Sequence, residues 1–376
     1  AASMLLKAGV DVSGNYMTGG TFMWQRFGSY LAIALMVLYL GRRFYWAIAK
    51  QTVFIRGKGS TGDVLPREVW AARLGVIACV LMVIMLWRIG LHPALGAGFV
   101  LLTGLMFMML GRINAATGLF LIQPFWNPVV VMLGLFGAST LGPQTLIILA
   151  MLVTMISIDT RIAVVPLALN ALRLGDRQNV KPGKLAGWLI VAVILALIGS
   201  MLFTVWLVYD KGVHGMDSAG TRWALEVARM PFKLLERNVN KLTEDQLEAA
   251  AQPLTLARLA GGRTAKHFYT AMAVGLVLVF GCSWLRLRFP GWPLHPVLFL
   301  VWGNNWMTIY APSFMLAWLL KNLILKYGGQ KSYARAKGFF VGLVAGEFAA
   351  AMIIALIAAG HYLDTGTILE TFLTRP

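Results

Sequence analysis

The residues able to do chemistry are few, and most lie where a polar group is expensive. Glu347 is the only carboxylate well inside an apolar run. A charged side chain at the centre of a spanning helix costs roughly 2.5–3.5 kcal/mol on insertion scales. Glu347 is therefore expected to face a protein interior, either as a proton or cation site or as a structural hydrogen bond to Arg112 or an amide. Gly338, Gly342, Gly346 and Ala350 recur every fourth residue beside it, a small-residue ridge on which a second helix can approach closely. Asn304 and Asn305, flanked by Trp302 and Trp306, are two adjacent amides deep in another run. Unbonded amides in hydrocarbon are costly, so they either line a polar cavity or bond a neighbouring helix. Arg112, Asn114, Gln123, Asn127 and His295 complete the candidate pathway residues. Arg112-Ile113-Asn114 and Asp159-Thr160-Arg161 close apolar runs, where charges ordinarily anchor the interface.

Enzymatic motifs are missing. There is no paired-acid motif, HExxH, Walker loop or nucleophile elbow. The histidines His92, His214, His267, His295 and His361 share no metal-ligand spacing. No catalytic residue, metal or cofactor is expected, and the chain does not read as an enzyme.

The elements that must position these residues are spanning helices. Of 376 residues, 59% are hydrophobic and 13% charged, whereas soluble domains carry about 25% charged residues. Runs near the 20 residues that cross a bilayer fall at 27–41, 71–88, 94–111, 119–138, 144–160, 185–208, 268–285, 294–310, 312–325 and 338–358. The net charge of +18 does not point to nucleic acid, because the cations gather in alternate loops. Arg42 to Arg67, Arg112, Arg161 to Lys184, Arg286 with Arg288, and Lys326 to Lys337 all follow odd-numbered runs. This positive-inside pattern fits ten spans with both termini extracytoplasmic. The expected class is an all-α integral membrane protein with about ten transmembrane helices, a single membrane domain over 1–376, in a bacterial cytoplasmic membrane. Cys79 and Cys282 lie within apolar runs and offer no CxxC pair.

Two hairpins are interrupted. One reads Gln123-Pro124-Phe125-Trp126-Asn127-Pro128, then Gly134, Gly137 and Gly142-Pro143; the other reads Pro290-Gly291-Trp292-Pro293-Leu294-His295-Pro296, then Gly303-Asn304-Asn305 and Pro312. They predict broken helix near Pro124–Pro128 and Gly303–Asn305, the hairpins close in space, and a parallel internal repeat. Paired interruptions of this kind point to a transporter's binding site. The long loop 209–267 carries nine Lys/Arg and seven Asp/Glu. It predicts an extracytoplasmic amphipathic cap or lid, with a capping box at Thr243/Gln246, a helical stripe of Trp223, Val227, Met230 and Leu234, and Pro231 and Pro253 limiting its helices.

Three stretches carry a family resemblance: Phe27 to Trp46 with its LGRRFYW ending, GRINAATGLFLIQ from Gly111 to Gln123, and 284–347 with WLRLRFPGWPLHP, SFMLAWLLKNLILKYGG and GFFVGLVAGEF. Over about 20–358 the chain resembles a family of uncharacterised bacterial polytopic proteins distantly similar to the oligopeptide transporter superfamily. Its members are longer, and this chain is similar to their C-terminal part. Many have an acidic residue near the position of Ala116. The resemblance implies transport of a peptide-like or metal-chelate solute. The alternative is a non-transporting anchor or scaffold subunit. Expected partners are the lipid bilayer and either a second chain supplying further N-terminal spans or a larger membrane complex.

Overall fold

The computed structural model describes residues 19–53, 66–117, 123–158, 163–215, 223–252, 254–302 and 305–365. Every regular element among them is helical. The chain forms two units, Ala1–Leu202 with Glu226–Trp302, and Phe203–Leu225 with Gly303–Pro376.

In the first unit, α1 (Thr21–Leu40) and α2 (Arg42–Val53) meet at Gly41 with a bend of 78°. They are followed by α3 (Pro66–Arg88), α4 (Pro93–Thr117), α5 (Pro128–Phe136), α6 (Ala138–Ile156), α7 (Val164–Arg177) and α8 (Pro182–Gly215), whose C-terminal end lies outside this unit. Then come α9 (Trp223–Val239), α10 (Glu244–Ala251), α11 (Leu256–Ala260), α12 (Phe268–Arg288) and α13 (Leu298–Val301). Pro66, Pro93, Pro128 and Pro182 each open a helix, where the missing N–H costs nothing and φ is already set. The core joins Met23, Phe27 and Tyr30 of α1 to Met106 and Leu110 of α4, Trp126, Val131 of α5, Leu146 of α6 and Phe268 of α12.

The tightest contact is between α1 and α12. A Cβ on Gly28 would collide with the Met272 carbonyl, and one on Gly275 with the Gln25 carbonyl. Trp24 meets Phe268 edge-on with ring centroids 5.5 Å apart. The contacts advance together along both chains, so α1 and α12 run parallel with their N-termini side by side.

Among the described residues six helices are long and apolar enough to cross a membrane, or seven if the bent α1–α2 pair is one span. The described residues do not show the expected ten as separate helices, and three places account for the difference. Run 294–310 holds the four-residue α13 before 303–304, which lie outside the described residues. The described part of run 119–138 is a non-helical lead-in from Gln123 and the nine-residue α5; at 1.5 Å per residue that helix is about 13 Å long, half a bilayer. In the second unit, the last two runs merge. There α14 (Asn305–Leu323), a π-helical turn (Ile324–Gly328) and α15 (Gly329–Thr365) follow without an open loop. The expected polar connection 326–337 is helical, marked only by the π turn and by Gly329 at φ 66°. The most apolar stretches of α3 and α8 are 11% and 0% buried. Exposed apolar surface on that scale identifies a membrane-embedded protein.

Loop 209–267 contributes α9, α10 and α11. Val227 and Met230 are half-buried and Leu234 fully buried, and the Gln246 side chain accepts from the Thr243 N–H at 3.3 Å, as a capping box requires. Pro231 lies inside α9 rather than ending it; Pro253 falls outside the described residues. A proline costs the helix one hydrogen bond, and the packed stripe of Val227, Met230 and Leu234 carries α9 through. The segment closes over the turn between α5 and α6. Ala265 N–H donates to Gly134 O at 2.8 Å and Arg258 Nη2 to Ser139 O at 3.0 Å. Gly137 and Gly142 turn there at φ 75° and 77°, and added Cβ atoms would stand 2.7 and 2.9 Å from the carbonyls of Arg263 and Ala250.

Candidate functional site

The interrupted hairpins converge on one side chain. Arg26, on the buried face of α1, is 4% exposed. Its Nη1 donates to Phe125 O at 3.4 Å and its Nη2 to Trp302 O at 2.8 Å, with the guanidinium carbon 5.0 Å from the centroid of the Phe125 ring. Phe125 belongs to the non-helical lead-in of the first hairpin, and Trp302 is the extended residue (φ −61°, ψ 145°) at which α13 stops. Broken helix leaves carbonyls without N–H partners, tolerated at membrane depth only inside protein or beside water. A guanidinium, with five donors in a planar fork, satisfies one carbonyl from each break.

Gln25 reinforces the junction. Its Oε1 accepts from Trp302 Nε1 at 2.9 Å, and its Nε2 donates to Ser29 Oγ at 2.9 Å. Trp302 is thus held by ring and carbonyl from successive residues of α1. On the opposite flank Trp126, fully buried, packs edge-on against Phe27 and Tyr30 at 5.1 and 5.7 Å.

The electrostatics are unbalanced. No carboxylate among the described residues pairs with Arg26. Two buried donors in the cluster, Arg26 Nε and Trp126 Nε1, have no partner among the described residues. A buried cation is costly unless paired and hydrogen-bonded, and unsatisfied donors need an acceptor. The arrangement suits an anionic group.

Residues 3–367 match the model of a family of unknown function, DUF6785. The chain belongs to the DUF6785 family. No curated protein and no solved structure matches it.

In this DUF6785 chain the residues singled out by sequence are only partly gathered. Trp302 stands at the junction. Asn127 is fully buried one residue from Trp126, but its Oδ1 accepts from Val130 N–H at 3.0 Å and so caps α5. Loss of a side-chain N-cap costs about 0.5–2 kcal/mol. Asn127→Ala is therefore expected to lower stability in detergent by about 1 kcal/mol and Asn127→Asp to retain it, read from denaturation midpoints. Gln123 donates to Ile158 O at 3.2 Å, tying the lead-in to the end of α6. Asn114 is buried on α4 with Oδ1 unpartnered among the described residues, while Arg112 is exposed. His295 Nδ1 accepts from Val297 N–H at 3.2 Å.

The remaining candidates fall outside the described first unit. Asn304 lies outside the described residues, and of Asn305 only its place at the start of α14 is described. Ala116 sits in the last turn of α4, its side chain undescribed. Glu347 belongs to the second unit, where it is exposed on α15, and nothing stands within 4 Å of a Cβ added to Gly338, Gly342 or Gly346. Among the described residues no group of three or more His, Cys, Asp or Glu could hold a metal ion.

Arg26 is not among the candidates the sequence offers, because the first apolar run begins at Phe27, just after this charge. The signal was present: Gln25, Arg26 and Ser29 fall on one face of an otherwise apolar 20-residue helix.

Proposed function

We propose that this protein is a secondary transporter, or the C-terminal part of one, of the oligopeptide-transporter-like kind, and that Arg26 receives the carboxylate of a peptide-like or metal-chelate solute. One observation carries the reading: a buried guanidinium without a carboxylate partner among the described residues, placed where two interrupted segments meet. Interrupted helices at a midplane site are how secondary transporters expose backbone groups to a solute. Arg is suited to carboxylates because its fork matches both oxygens. The family-like stretches 111–123 and 284–347 support the same class. The test is uptake of labelled short peptides and peptide-derived chelates into proteoliposomes. Saturable accumulation, lost in Arg26→Gln, is expected; no accumulation of any of them by the wild-type chain would overturn the reading.

A second reading, an anchor or scaffold subunit, is favoured by α15, whose glycine ridge is open along its length. It predicts co-purification with a stoichiometric partner that Gly342→Leu releases.

The orientation follows the charge pattern. The 161–184 region is assigned to the cytoplasm and 209–267 to the outside, in a bacterial inner membrane with both termini extracytoplasmic. In a background with Cys79 and Cys282 replaced by alanine, Gln178→Cys and Glu244→Cys should react with an impermeant maleimide from opposite faces. Reaction from one face would reverse the assignment.

A further inference from the structure

A cavity of about 390 Å³ opens at the end of the first unit where α1 and α12 begin. Among the described residues its ionisable lining consists of Arg237, Lys241, Lys266 and His267, with no Asp or Glu. Arg237 and Lys241 come from the end of α9 and the turn after it, Lys266 and His267 from the turn before α12, and Thr21 and Trp24 from the first turn of α1. Three permanent cations thus surround a space large enough for a small ligand.

The backbone adds to that field. Both α1 and α12 are uncapped by any side-chain hydrogen bond, and neither has an acidic residue in its first turn. A helix N-terminus carries about half a positive charge and leaves N–H groups free. Helices usually neutralise this with Ser, Thr, Asp or Asn at the cap. Here two parallel helices of 20 and 21 residues start side by side at the same cavity without a side-chain cap, although the Phe268 N–H is taken by the Ala265 carbonyl at 3.1 Å.

We propose that this cavity is a binding site for a phosphate-class oxyanion, coordinated by Lys241, Lys266 and Arg237 over the paired N-termini of α1 and α12. The site is separate from Arg26, which lies one turn further into α1, and it does not depend on the transport reading. The oxyanion comes either from a soluble ion or from a lipid headgroup, since the cavity stands at the end of α12, a helix long and apolar enough to cross a membrane.

The experiment uses the full chain in nanodiscs. In one arm the discs are phosphatidylcholine only and inorganic phosphate is titrated calorimetrically. In the other, thermal unfolding is compared between phosphatidylcholine discs and discs containing phosphatidylglycerol. Lys241→Gln with Lys266→Gln is the test variant; both side chains are exposed, so folding should survive, as gel filtration will verify. Lys331→Gln with Arg335→Gln on α15 removes the same charge elsewhere. A soluble ligand gives phosphate binding that weakens at least about tenfold in the test variant and not in the control. A headgroup ligand gives stabilisation by phosphatidylglycerol alone, lost in the test variant and kept in the control. No effect in either arm, or equal losses in both variants, overturns the proposal.

Discussion

Arg26→Gln is expected to weaken solute binding by about two orders of magnitude while leaving a folded protein. Charge-assisted hydrogen bonds are about twice as strong as neutral ones, and 1.4 kcal/mol corresponds to tenfold. Removing the charge where a carboxylate docks therefore costs about 3 kcal/mol of binding. Stability responds differently. The variant loses bonds to Phe125 O and Trp302 O, each worth about 1.5–3 kcal/mol to a charged donor. It also escapes the desolvation cost of a buried cation, and its amide still reaches one carbonyl, so the net destabilisation is small. Arg26→Lys separates the two roles: it keeps the charge but cannot bridge two carbonyls with a planar fork, so it should bind solute better than Gln and melt no higher. Binding of a labelled tripeptide such as trialanine, with melting curves, reads both. Wild-type binding by Arg26→Gln would leave the arginine as a staple between the hairpins and move the solute site elsewhere.

Gly275→Leu should prevent assembly of the first unit. Its Cβ direction points into the Gln25 carbonyl and the Ser29 amide. Relief would require moving the α1 backbone, because no flexible side chain is there to yield. Overpacking ordinarily costs about 1–3 kcal/mol, and a backbone collision lies at or above the top of that range. The same shift would drag Gln25 and Arg26 away from Trp302. Gly281→Leu is the control, since a Cβ there has no atom within 4 Å on the same helix. Loss of monodisperse protein from Gly275→Leu with normal yield of Gly281→Leu is the expected result. Equal tolerance would show that α1 and α12 do not pack through these glycines.

Much of the architecture could be read from residue types. Hydropathy identified a membrane-embedded helical chain. The prolines and glycines of 123–128 and 290–296 mark where helix breaks, since backbone bonding is interrupted locally by those residues. The Thr243/Gln246 cap and most of the α9 stripe were legible for the same reason: they are local. The number of crossings was not. Apolarity reports which solvent a segment prefers, not where a helix stops or bends, so neither the short α5 nor the π turn that links α14 to α15 can be read from it. An interior place for Glu347 rests on the cost of a charge among apolar residues; the sequence does not say which face of α15 is covered. Arg26 was hidden by the opposite error, as a charge at the rim of a run looks like an interfacial anchor until Phe125 and Trp302 are seen to fold onto it.

The bend at Gly41 has an electrical consequence. If α1 runs along the membrane normal, the 78° turn lays α2 near the interface. There Arg42, Arg43 and Lys50 with Phe44, Tyr45 and Trp46 act as a float that fixes how deep α1 sits. Arg26 stands 15 residues from Gly41, about 22 Å along the helix in a hydrocarbon layer about 30 Å thick. Its charge then rests roughly a quarter of the way in from the opposite face. An anion reaching it from that face would cross only about a quarter of the membrane voltage, about 0.6 kcal/mol per charge at 100 mV. Occupancy would be nearly indifferent to the membrane potential, leaving the remaining three quarters of the field to act on the anion's onward movement.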